Sequence, residues 1–462
     1  MDTTTSIFTG STDVGDVGAP GSVSLENGTY TVAGSGQNMW FGNDAFHYVW
    51  TKAEGDVALR ATVRFPAPGT DPHRKACLVI RQSLEDDAVY ADIAVHGDGL
   101  TSLQYRTEPG ADTHEVQADV TAPSRIGIER RGDYITATVD GRLSGGAVRL
   151  PLTGPFLIGL GVTSHRKGTI ETAEFSDVSL ESVAGGTTLV SVVETIDIAS
   201  TDRRTVRVFD EHVEAPNWTA DDRLVLNGNG RLLSVPVTGG EPTPIDTAFA
   251  DRCNNDHGLS PDGTRIAISD QSQGDGESVI YTLPIEGGTP TRITAGSPSY
   301  WHGWSPDGST LAFCGRRDGR FGIFTIPAAG GAETRLTETD GLDDGPEYSP
   351  DGTWIYFNSD RTGLMQIHRI RPDGSDLEQI TDDRWGNWFP HISPDGTQMS
   401  VLSYEPEVVG HPGDKDVQLR LVNLADGSTR VLAALFGGQG TINVPSWSPD
   451  GTRLAFVSYT YI

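Results

Sequence analysis

The chain has 462 residues, enough for two domains, and its 34 basic against 63 acidic residues give a formal net charge of −29. So negative a protein is unsuited to binding nucleic acid or an anionic membrane, because like charges repel. No apolar run reaches the length of about 18 residues that a membrane helix needs, so no membrane insertion is predicted.

Neither end of the chain nor its cysteines point to a special compartment. Residues 1–6 lack the basic and apolar segments of an export signal. We therefore expect a cytoplasmic protein as the sequence stands, or a periplasmic or secreted one if a signal has been removed. The three cysteines, Cys77, Cys253 and Cys314, show neither a disulfide framework nor the spacing of a metal site.

Residues 1–184 contain no repeat and are predicted to form an all-β sandwich domain. Apolar residues alternate with polar ones in short runs, as half-buried strands require. The predicted strands are Ala58–Phe65, Ala76–Arg81, Val89–Val95, Arg125–Arg130, Tyr134–Val139 and Phe156–Val162. Several aromatic and basic residues could line a sugar-binding face, but we predict that they fill the core instead; they are Trp40, His47, Tyr48, Trp50, Arg81, Tyr90, Tyr105 and Arg106.

Four of these segments resemble the concanavalin-like β-sandwich domains of the DUF1349 type. They are Asp56–Val63, Ala76–Arg81, Ile126–Arg130 and the strand that contains Gly159–Thr163. Such domains often accompany carbohydrate-active proteins, so the resemblance implies binding of a sugar or of a partner.

A repeated Ser-Pro-Asp-Gly motif organises the rest of the chain. It begins at Ser260, Ser305, Ser349, Ser393 and Ser448, in steps of 45, 44, 44 and 55 residues. Pro presets φ, Asp bonds its own backbone and Gly accepts positive φ, so the motif predicts a tight turn. One strand-like segment precedes each turn and three follow it, and four strands in about 40–45 residues are typical of a propeller blade.

Residues 185–462 are therefore predicted to form a six-bladed β-propeller. Thr219 marks a degenerate copy of the turn, which raises the number of blades to six. Two strands, Glu194–Ala199 and Thr205–Phe209, precede the first turn, and two strands end the chain. Together they are expected to make one blade, which closes the ring and leaves no exposed sheet edge.

The repeats resemble the WD40-like (PD40) propellers of the TolB type. The resemblance rests on the Trp-Ser-Pro-Asp-Gly turns and on the Gly-Gly hairpins at Gly287–Thr289 and Gly330–Ala332. It implies the propeller fold and a module that docks partner proteins, although one fold hosts many activities.

The segment before each turn is the innermost strand of its blade and opens at one end of the channel. Candidate substrate-binding residues near that end are Asn255, Asp256, Trp301, Arg316, Asn387, Trp388, Gln439 and Asn443. Candidate catalytic residues are Asp343, Asp344, Glu347, Arg361, His411 and Lys415. The last two lie in an insertion, Tyr404–Asp416, which accounts for the 55-residue step and is expected to act as a lid or binding element.

Three histidines, His257, His302 and His391, stand two or three residues before a repeat serine and are predicted to converge. Imidazoles beside carboxylates suit one divalent metal ion, Mn, Zn or Ca. The alternative is that these histidines bond within the strands and that the aspartates make turns. The structural role is predicted for His73, His96, His114, His165, His212 and His368.

Two classes of function fit this pattern. The first is a carbohydrate-active enzyme, a lyase or hydrolase that acts on an acidic oligosaccharide. Its architecture is similar to that of oligogalacturonate lyases, although blade number and local motifs differ. In a lyase, the metal would acidify the α-proton of a uronate. A hydrolase would instead use Asp343, Asp344 or Glu347 as acid and base. The second is a non-catalytic propeller that binds a protein or glycan partner. A lactone or peptide hydrolase is a third possibility, and no Gly-x-Ser-x-Gly elbow supports a serine peptidase.

Overall fold

The computed structural model describes residues 5–273 and 276–462, which form β-strands, turns and one short 3₁₀ helix. The chain divides into two compact units. The N-terminal unit runs to Thr188 and also takes in Asp202–Val208 and Tyr461–Ile462; the second unit contains Leu189–Thr201 and Phe209–Thr460. The division predicted at residue 184 did not foresee the two segments that return to the first unit. Within the described ranges, no helix has the length and apolar character needed to cross a membrane.

The N-terminal unit begins with a series of strands that includes all six predicted ones, each displaced by one residue at most. The strands are β1 (Gly10–Val14), β2 (Ser22–Glu26), β3 (Thr29–Gly36), β4 (Phe46–Ala53), β5 (Val57–Arg64), β6 (Lys75–Arg81), β7 (Tyr90–His96), β8 (Thr101–Arg106), β9 (His114–Gln117), β10 (Arg125–Arg131), β11 (Tyr134–Val139), β12 (Arg142–Leu143), β13 (Val148–Arg149), β14 (Phe156–Thr163) and β15 (Arg166–Ser182).

These strands form two antiparallel sheets around one shared core. The first sheet has the order β1-β4-β14-β6-β7-β8-β9 and the second β12-β11-β10-β5-β15-β3-β2. Alternate side chains of both sheets meet, such as Leu59 and Ile128 from the second sheet and Leu78, Ile93 and Leu160 from the first. The assignment of this unit to the concanavalin-like sandwich domains stays a prediction.

The other face of the first sheet buries charged groups. Arg81 Nη1 lies 3.3 Å from Asp44 Oδ2 and Arg106 Nη2 lies 2.8 Å from Asp44 Oδ1. Tyr48 and Tyr90 are fully buried on the same face. The predicted core role is therefore confirmed for these two arginines and two tyrosines.

Two strands, β16 (Leu189–Asp197) and β17 (Arg203–Phe209), precede the blades. Five separate four-stranded sheets follow and form blades 1 to 5. Their strands are β18 (Val213–Trp218), β19 (Arg223–Gly228), β20 (Arg231–Pro236) and β21 (Thr243–Ile245) in blade 1; β22 (Cys253–Leu259), β23 (Arg265–Asp270), β24 (Val279–Pro284) and β25 (Thr291–Arg292) in blade 2; β26 (Ser299–Trp304), β27 (Thr310–Arg317), β28 (Arg320–Pro327) and β29 (Thr334–Arg335) in blade 3; β30 (Asp343–Tyr348), β31 (Ile355–Ser359), β32 (Gln366–Ile370) and β33 (Glu378–Gln379) in blade 4; and β34 (Gly386–Ile392), β35 (Gln398–Tyr404), β36 (Lys415–Asn423) and β37 (Thr429–Gly437) in blade 5.

The repeated turn has the chemistry that its sequence predicts. In the copy at Ser260, the serine Oγ donates to Asp262 Oδ1 at 2.6 Å and accepts the backbone N–H of Arg265 at 3.0 Å. Gly263 has φ +69, which only glycine adopts without strain. Thr219 makes the same contact with Asp221, at 2.6 Å, so the degenerate copy in blade 1 is confirmed.

The prediction of six blades is wrong in its count. After blade 5 come a 3₁₀ helix (Gln439–Thr441) and β38 (Arg453–Tyr461), which pairs with β16. However, β17 lies in parallel register with β9, with Arg203 opposite Val116, and most of it therefore belongs to the N-terminal unit. The strands β16, β17 and β38 thus do not form a separate four-stranded sheet.

The segment between the 3₁₀ helix and β38 links blade 5 to blade 1. Trp447 Nε1 donates to His391 O of blade 5 at 2.9 Å, and Asn217 of blade 1 donates to Pro445 O at 2.5 Å. The innermost strands β18, β22, β26, β30 and β34 also pack against one another in succession. The described blades are therefore joined from the last back to the first.

Candidate functional site

Polar residues recur five residues before the Ser or Thr of the turn, in three innermost strands and in the segment after the 3₁₀ helix. They are Glu214, Asn255, Asp344 and Asn443. In three blades the next residue has left-handed φ: +58 at Ala215, +62 at Gly345 and +54 at Phe389. The pairing with the second strand shifts there. Because such a bulge redirects the side chains that follow it, equal sequence offsets do not guarantee equal positions.

A cavity of about 300 Å³ lies where these strands begin. Its lining combines carboxylates and imidazoles: Asp256 of blade 2, His302 of blade 3, Asp344 of blade 4 and His411 of the blade 5 insertion. Gln439 comes from the 3₁₀ helix, and the remaining lining residues are Asn254, Tyr300, Cys314, Phe321 and Leu342. We call this the mouth cavity. It contains five of the residues that the sequence analysis selected.

The centre of the mouth cavity is an imidazole between two carboxylates. His302 Nε2 lies 3.3 Å from Asp344 Oδ1 and 3.9 Å from Asp256 Oδ1. Asp344 Oδ1 also accepts the backbone N–H of Gly345 at 2.8 Å. His411 Nε2 lies 3.7 Å from the other oxygen, Asp344 Oδ2. Each oxygen of Asp344 therefore has an imidazole nitrogen within 4 Å.

These contacts set the charges of the cavity. Burial disfavours a charge on Asp344, but the hydrogen bond and charge of His302, with the charge of His411, outweigh it and lower the pKa of Asp344 to about 2. Burial likewise opposes a charge on His302, yet Asp344 and Asp256 raise its pKa above 6.5. In contrast, burial raises the pKa of Asp256, although His302 and the Asn443 amide act against that rise.

Amide side chains hold Asp256 in place. Asn443 donates to Asp256 Oδ1 and Asn254 to Asp256 Oδ2, both at 2.6 Å. Both oxygens of Asp256 therefore accept hydrogen bonds from neutral amides, while the imidazole of His302 lies 3.9 Å away. This carboxyl is held firmly but is weakly compensated in charge.

Sequence reasoning missed Glu214. It accepts a hydrogen bond from Asn255 Nδ2 at 3.3 Å, and Gln439 Nε2 lies 3.4 Å from Asn255 Oδ1, so amides connect it to the mouth cavity. Burial raises its pKa to about 7, against the lowering effect of the Asn255 hydrogen bond. Its position five residues before Thr219, matching Asp344 before Ser349, is a signal that could have found it.

The insertion of blade 5 brings His411 to the cavity, where aromatic rings hold it. The imidazole packs edge-on against Trp388, with centroids 4.4 Å apart, and against Phe389 at 5.2 Å. Lys415 of the same insertion is exposed at the start of β36 and is not among the residues of the cavity lining.

The predicted meeting of His257, His302 and His391 does not occur in this structure, because each has its own partners. His257 is buried and donates through Nε2 to Val225 O at 3.2 Å. His391 Nδ1 lies 2.6 Å from Glu347 Oε2, and its Nε2 contacts Ile442 O. Both histidines therefore make structural hydrogen bonds, as the alternative proposed, but to neighbouring blades and to the segment after blade 5 and not within their own strands.

The described residues also do not fit the predicted metal ion. Within 5–273 and 276–462, no three His, Cys, Asp or Glu side chains are grouped so that they could hold one. The metal remains a sequence prediction, and no step of the proposals below depends on it.

Other predicted site residues make structural contacts within and between the blades. Asp343 is fully buried and binds Arg361 Nη2 at 2.7 and 2.8 Å. Arg316 binds Glu277 Oε1 at 3.0 Å. Trp301 is 1 % exposed in an apolar cluster with Trp304 and Phe313.

The two predicted binding residues of β34 also differ in role. Asn387 is buried and donates to Gln366 Oε1 at 3.1 Å, while its own Oδ1 accepts from Ser403 at 2.7 Å. Trp388 supports the cavity indirectly, through His411.

Comparison with known proteins agrees with the propeller. The family model of the TolB beta propeller domain matches residues 297–433. An uncharacterized protein of Agrobacterium fabrum (strain C58) is 50% identical over 281 residues, which are 60% of this chain and 95% of that protein. A solved structure from Agrobacterium tumefaciens, provisionally named TolB, is 49% identical with a TM-score of 0.58 and covers 60% of this chain and 100% of its own.

A weaker match is the oligogalacturonate lyase of Vibrio parahaemolyticus, at 14% identity and a TM-score of 0.37, covering 58% of this chain and 78% of the lyase. So distant a likeness carries no argument about activity. The extensive identity to the Agrobacterium proteins, the matched family model and the five blades lead to one conclusion: the chain belongs to the TolB-like β-propeller family.

Proposed function

We propose that the propeller unit is a binding module whose mouth cavity takes the positively charged amino group of a peptide or another small partner. The observation that carries this proposal is the placement of Asp256 and Asp344 on either side of His302 in one cavity. An ammonium group is compact and carries three donors, so it suits a site rich in carboxylate and amide oxygens.

Apart from the imidazoles of His302 and His411, the cavity lining offers carboxylate and amide groups, which support a cation rather than the acidic oligosaccharide that the sequence suggested. Among the described side chains that line it, none is Lys or Arg. Arg361, a candidate catalytic residue, and Arg316, a candidate substrate-binding residue, bind Asp343 and Glu277 instead. A bound cation would supply Asp256 with a close counter-charge, and the net charge of −29 would steer cations towards the protein.

The test compares a short neutral peptide that has a free amino terminus with the same peptide after N-acetylation, by titration calorimetry at pH 7. We expect the free peptide to bind and Asp344→Asn to weaken its binding about tenfold, the equivalent of 1.4 kcal/mol. Asp343→Asn is the matched control, because Asp343 lies outside the cavity and should leave binding unchanged. Equal binding of the acetylated peptide, or no binding of the free one, would refute the proposal.

The divergence of two carboxyl pKa values supports a second candidate, a hydrolase that acts on a neutral sugar or lactone. Asp344 has a pKa of about 2 and Glu214 one of about 7, and carboxyls whose environments separate their pKa values suit paired base and acid roles. In this candidate Asp344, with His302, orients and deprotonates water, and Glu214 protonates the leaving group.

Screening neutral aryl glycosides and lactones tests the hydrolase. We expect activity to fall as pH rises through about 7, where Glu214 loses its proton, and Glu214→Gln to abolish that limb of the profile. Activity that is indifferent to Glu214→Gln would exclude this role. A parallel screen of uronate oligomers for an unsaturated product tests the lyase chemistry, which has the least support from the cavity.

A further inference from the structure

A second cavity, of about 290 Å³, opens in the N-terminal unit and has no part in the proposed function. It lies on the face of the first sheet that also carries Arg81 and Arg106. Lys75, Gln104, Trp40 and Asn38 line it, and Glu115 and three imidazoles complete most of the lining. We call it the lysine cavity.

Lys75 is exceptional among the lysines of this chain. There are four, Lys52, Lys75, Lys167 and Lys415, and the other three are exposed. Lys75 is 2 % exposed. A buried lysine needs a reason, because removing an ammonium group from water is costly.

The contacts of Lys75 Nζ match an uncharged amine. Nζ donates to Met39 O at 2.8 Å and to Gln104 Oε1 at 2.9 Å. A neutral amine has two N–H bonds and one lone pair, so these two acceptors use both hydrogens. The lone pair then occupies the remaining tetrahedral position, and Lys75 is part of the cavity lining.

The surroundings favour the same state. Burial lowers the pKa of Lys75, although Asp92 and other nearby groups raise it. Burial raises the pKa of Asp92, which weakens that acid as a fixed counter-charge. Lysines desolvated in this way are the ones that react with carbonyl groups.

We propose that Lys75 forms an imine with a small aldehyde or ketone that enters the lysine cavity. The Nζ lone pair attacks the carbonyl carbon, and the C=O π pair becomes an oxyanion that takes up a proton. The resulting carbinolamine then loses its hydroxyl as water while nitrogen gives up its hydrogens, so amine and carbonyl yield imine and one water with no oxidant or reductant.

The cavity provides groups for these proton transfers. His96 Nδ1 lies 2.9 Å from Leu100 O, which can only accept, so Nδ1 carries the hydrogen and Nε2 is free of one in the neutral ring. Burial lowers the pKa of His96 to about 3, so the ring is neutral at pH 7. Glu115 and the imidazoles of His73 and His165 lie in the same lining.

The test uses the wild-type protein, glycolaldehyde as the probe and cyanoborohydride to trap the imine, followed by peptide mass mapping at pH 7. Only the neutral amine attacks a carbonyl, and burial lowers the pKa of Lys75, so we expect Lys75 to be labelled severalfold faster than the exposed lysines. In denaturant the four rates should become equal, since the preference depends on the fold.

The proposal is overturned if Lys75 stays unlabelled while Lys52, Lys167 and Lys415 react, or if it reacts no faster than they do. Lys75→Arg keeps a long basic side chain but lacks a nucleophilic amine, so it should remove the fast-labelling site, and Lys52→Arg is the matched control that should retain it. Because the mapping is done on wild-type protein, the result does not depend on whether the variants fold.

Discussion

Replacing Asp344 by Asn should change the ionisation of a residue on the neighbouring blade. Asp344 Oδ1 lies 3.3 Å from His302 Nε2 and is the main group that raises the pKa of that imidazole against its burial. An opposite charge at such a distance shifts a pKa by about 1–3 units. Asp256 remains 3.9 Å away in the variant, so we expect the pKa of His302 to fall, although Asp256 still opposes the effect of burial.

The same ion pair contributes to folding, and its pH range follows from the directions of both shifts. The pKa of Asp344 falls from 3.8 to about 2, which corresponds to about 2 kcal/mol at 1.4 kcal/mol per unit. That contribution is present above pH 3.8 and is lost as pH falls towards 2. The contribution of His302, whose pKa is raised, is complete below 6.5 and is lost as pH rises through the folded value. The wild type should therefore exceed Asp344→Asn in stability most clearly between about pH 4 and 6.5.

Two measurements check this reasoning. Nitrogen NMR of the histidine rings gives the pKa of His302, and urea unfolding between pH 3 and 8 gives the difference in stability. Asp343→Asn serves as control, since it breaks the bond to Arg361 and should destabilise the protein without moving the pKa of His302. An unchanged pKa in Asp344→Asn, or a stability difference that does not vary with pH, would refute the assigned roles.

Three further predictions concern the blades. Ser349→Ala removes an Oγ that donates to Asp351 at 2.6 Å and accepts from the Trp354 N–H at 3.0 Å, so urea unfolding should show a loss of about 1–2 kcal/mol; Ser375→Ala, in an exposed turn, should cost less. Gly258→Ala would place a methyl group 2.0 Å from the Trp301 ring and should cost about 1–3 kcal/mol, whereas Gly413→Ala, with open space around it, should be nearly neutral in thermal unfolding. The wild type should lose stability as pH rises from 4.5 to 7, because the folded protein keeps Glu214 protonated while the unfolded chain releases that proton. Glu214→Gln should abolish this loss. Parallel pH curves for the two proteins would count against a buried, protonated Glu214.

The parts of the fold that could be predicted are those that local chemistry determines. Ser260-Pro-Asp-Gly263 specifies its turn without help from distant residues, and the copies at Ser260, Ser305, Ser349 and Ser393 each identified a blade, whereas the copy at Ser448 did not. The strand Tyr134–Val139 alternates apolar and polar residues so regularly that its bounds were found without error. By contrast, β17 has the composition of a blade strand, and its pairing with β9 depends on residues about 90 positions earlier in the chain, which no local pattern reveals.

The sequence identified the strands that carry the candidate site, but not which of their side chains face the cavity. Asp344 and His302 do meet, because they lie in inner strands of adjacent blades, and His411 reaches them from the blade 5 insertion. His257 stands at the same offset from its turn as His302 but is turned towards Val225, since the pairing irregularities fall at different residues in the two blades. The position of a bulge depends on packing between blades. A shift by one residue turns a side chain from the channel to the interior of the blade packing.

The course of the chain between the two units has a consequence for how this protein can be produced and folded. Residues 202–208 and 461–462 complete the N-terminal unit although the sequence of the propeller lies between them. A recombinant fragment of residues 1–184 would lack the partner of β9, and a fragment of residues 185–462 would carry β17 as a surplus strand with exposed hydrogen-bonding groups. During translation, the first unit receives its final segment, Tyr461–Ile462, only after every blade has been synthesised.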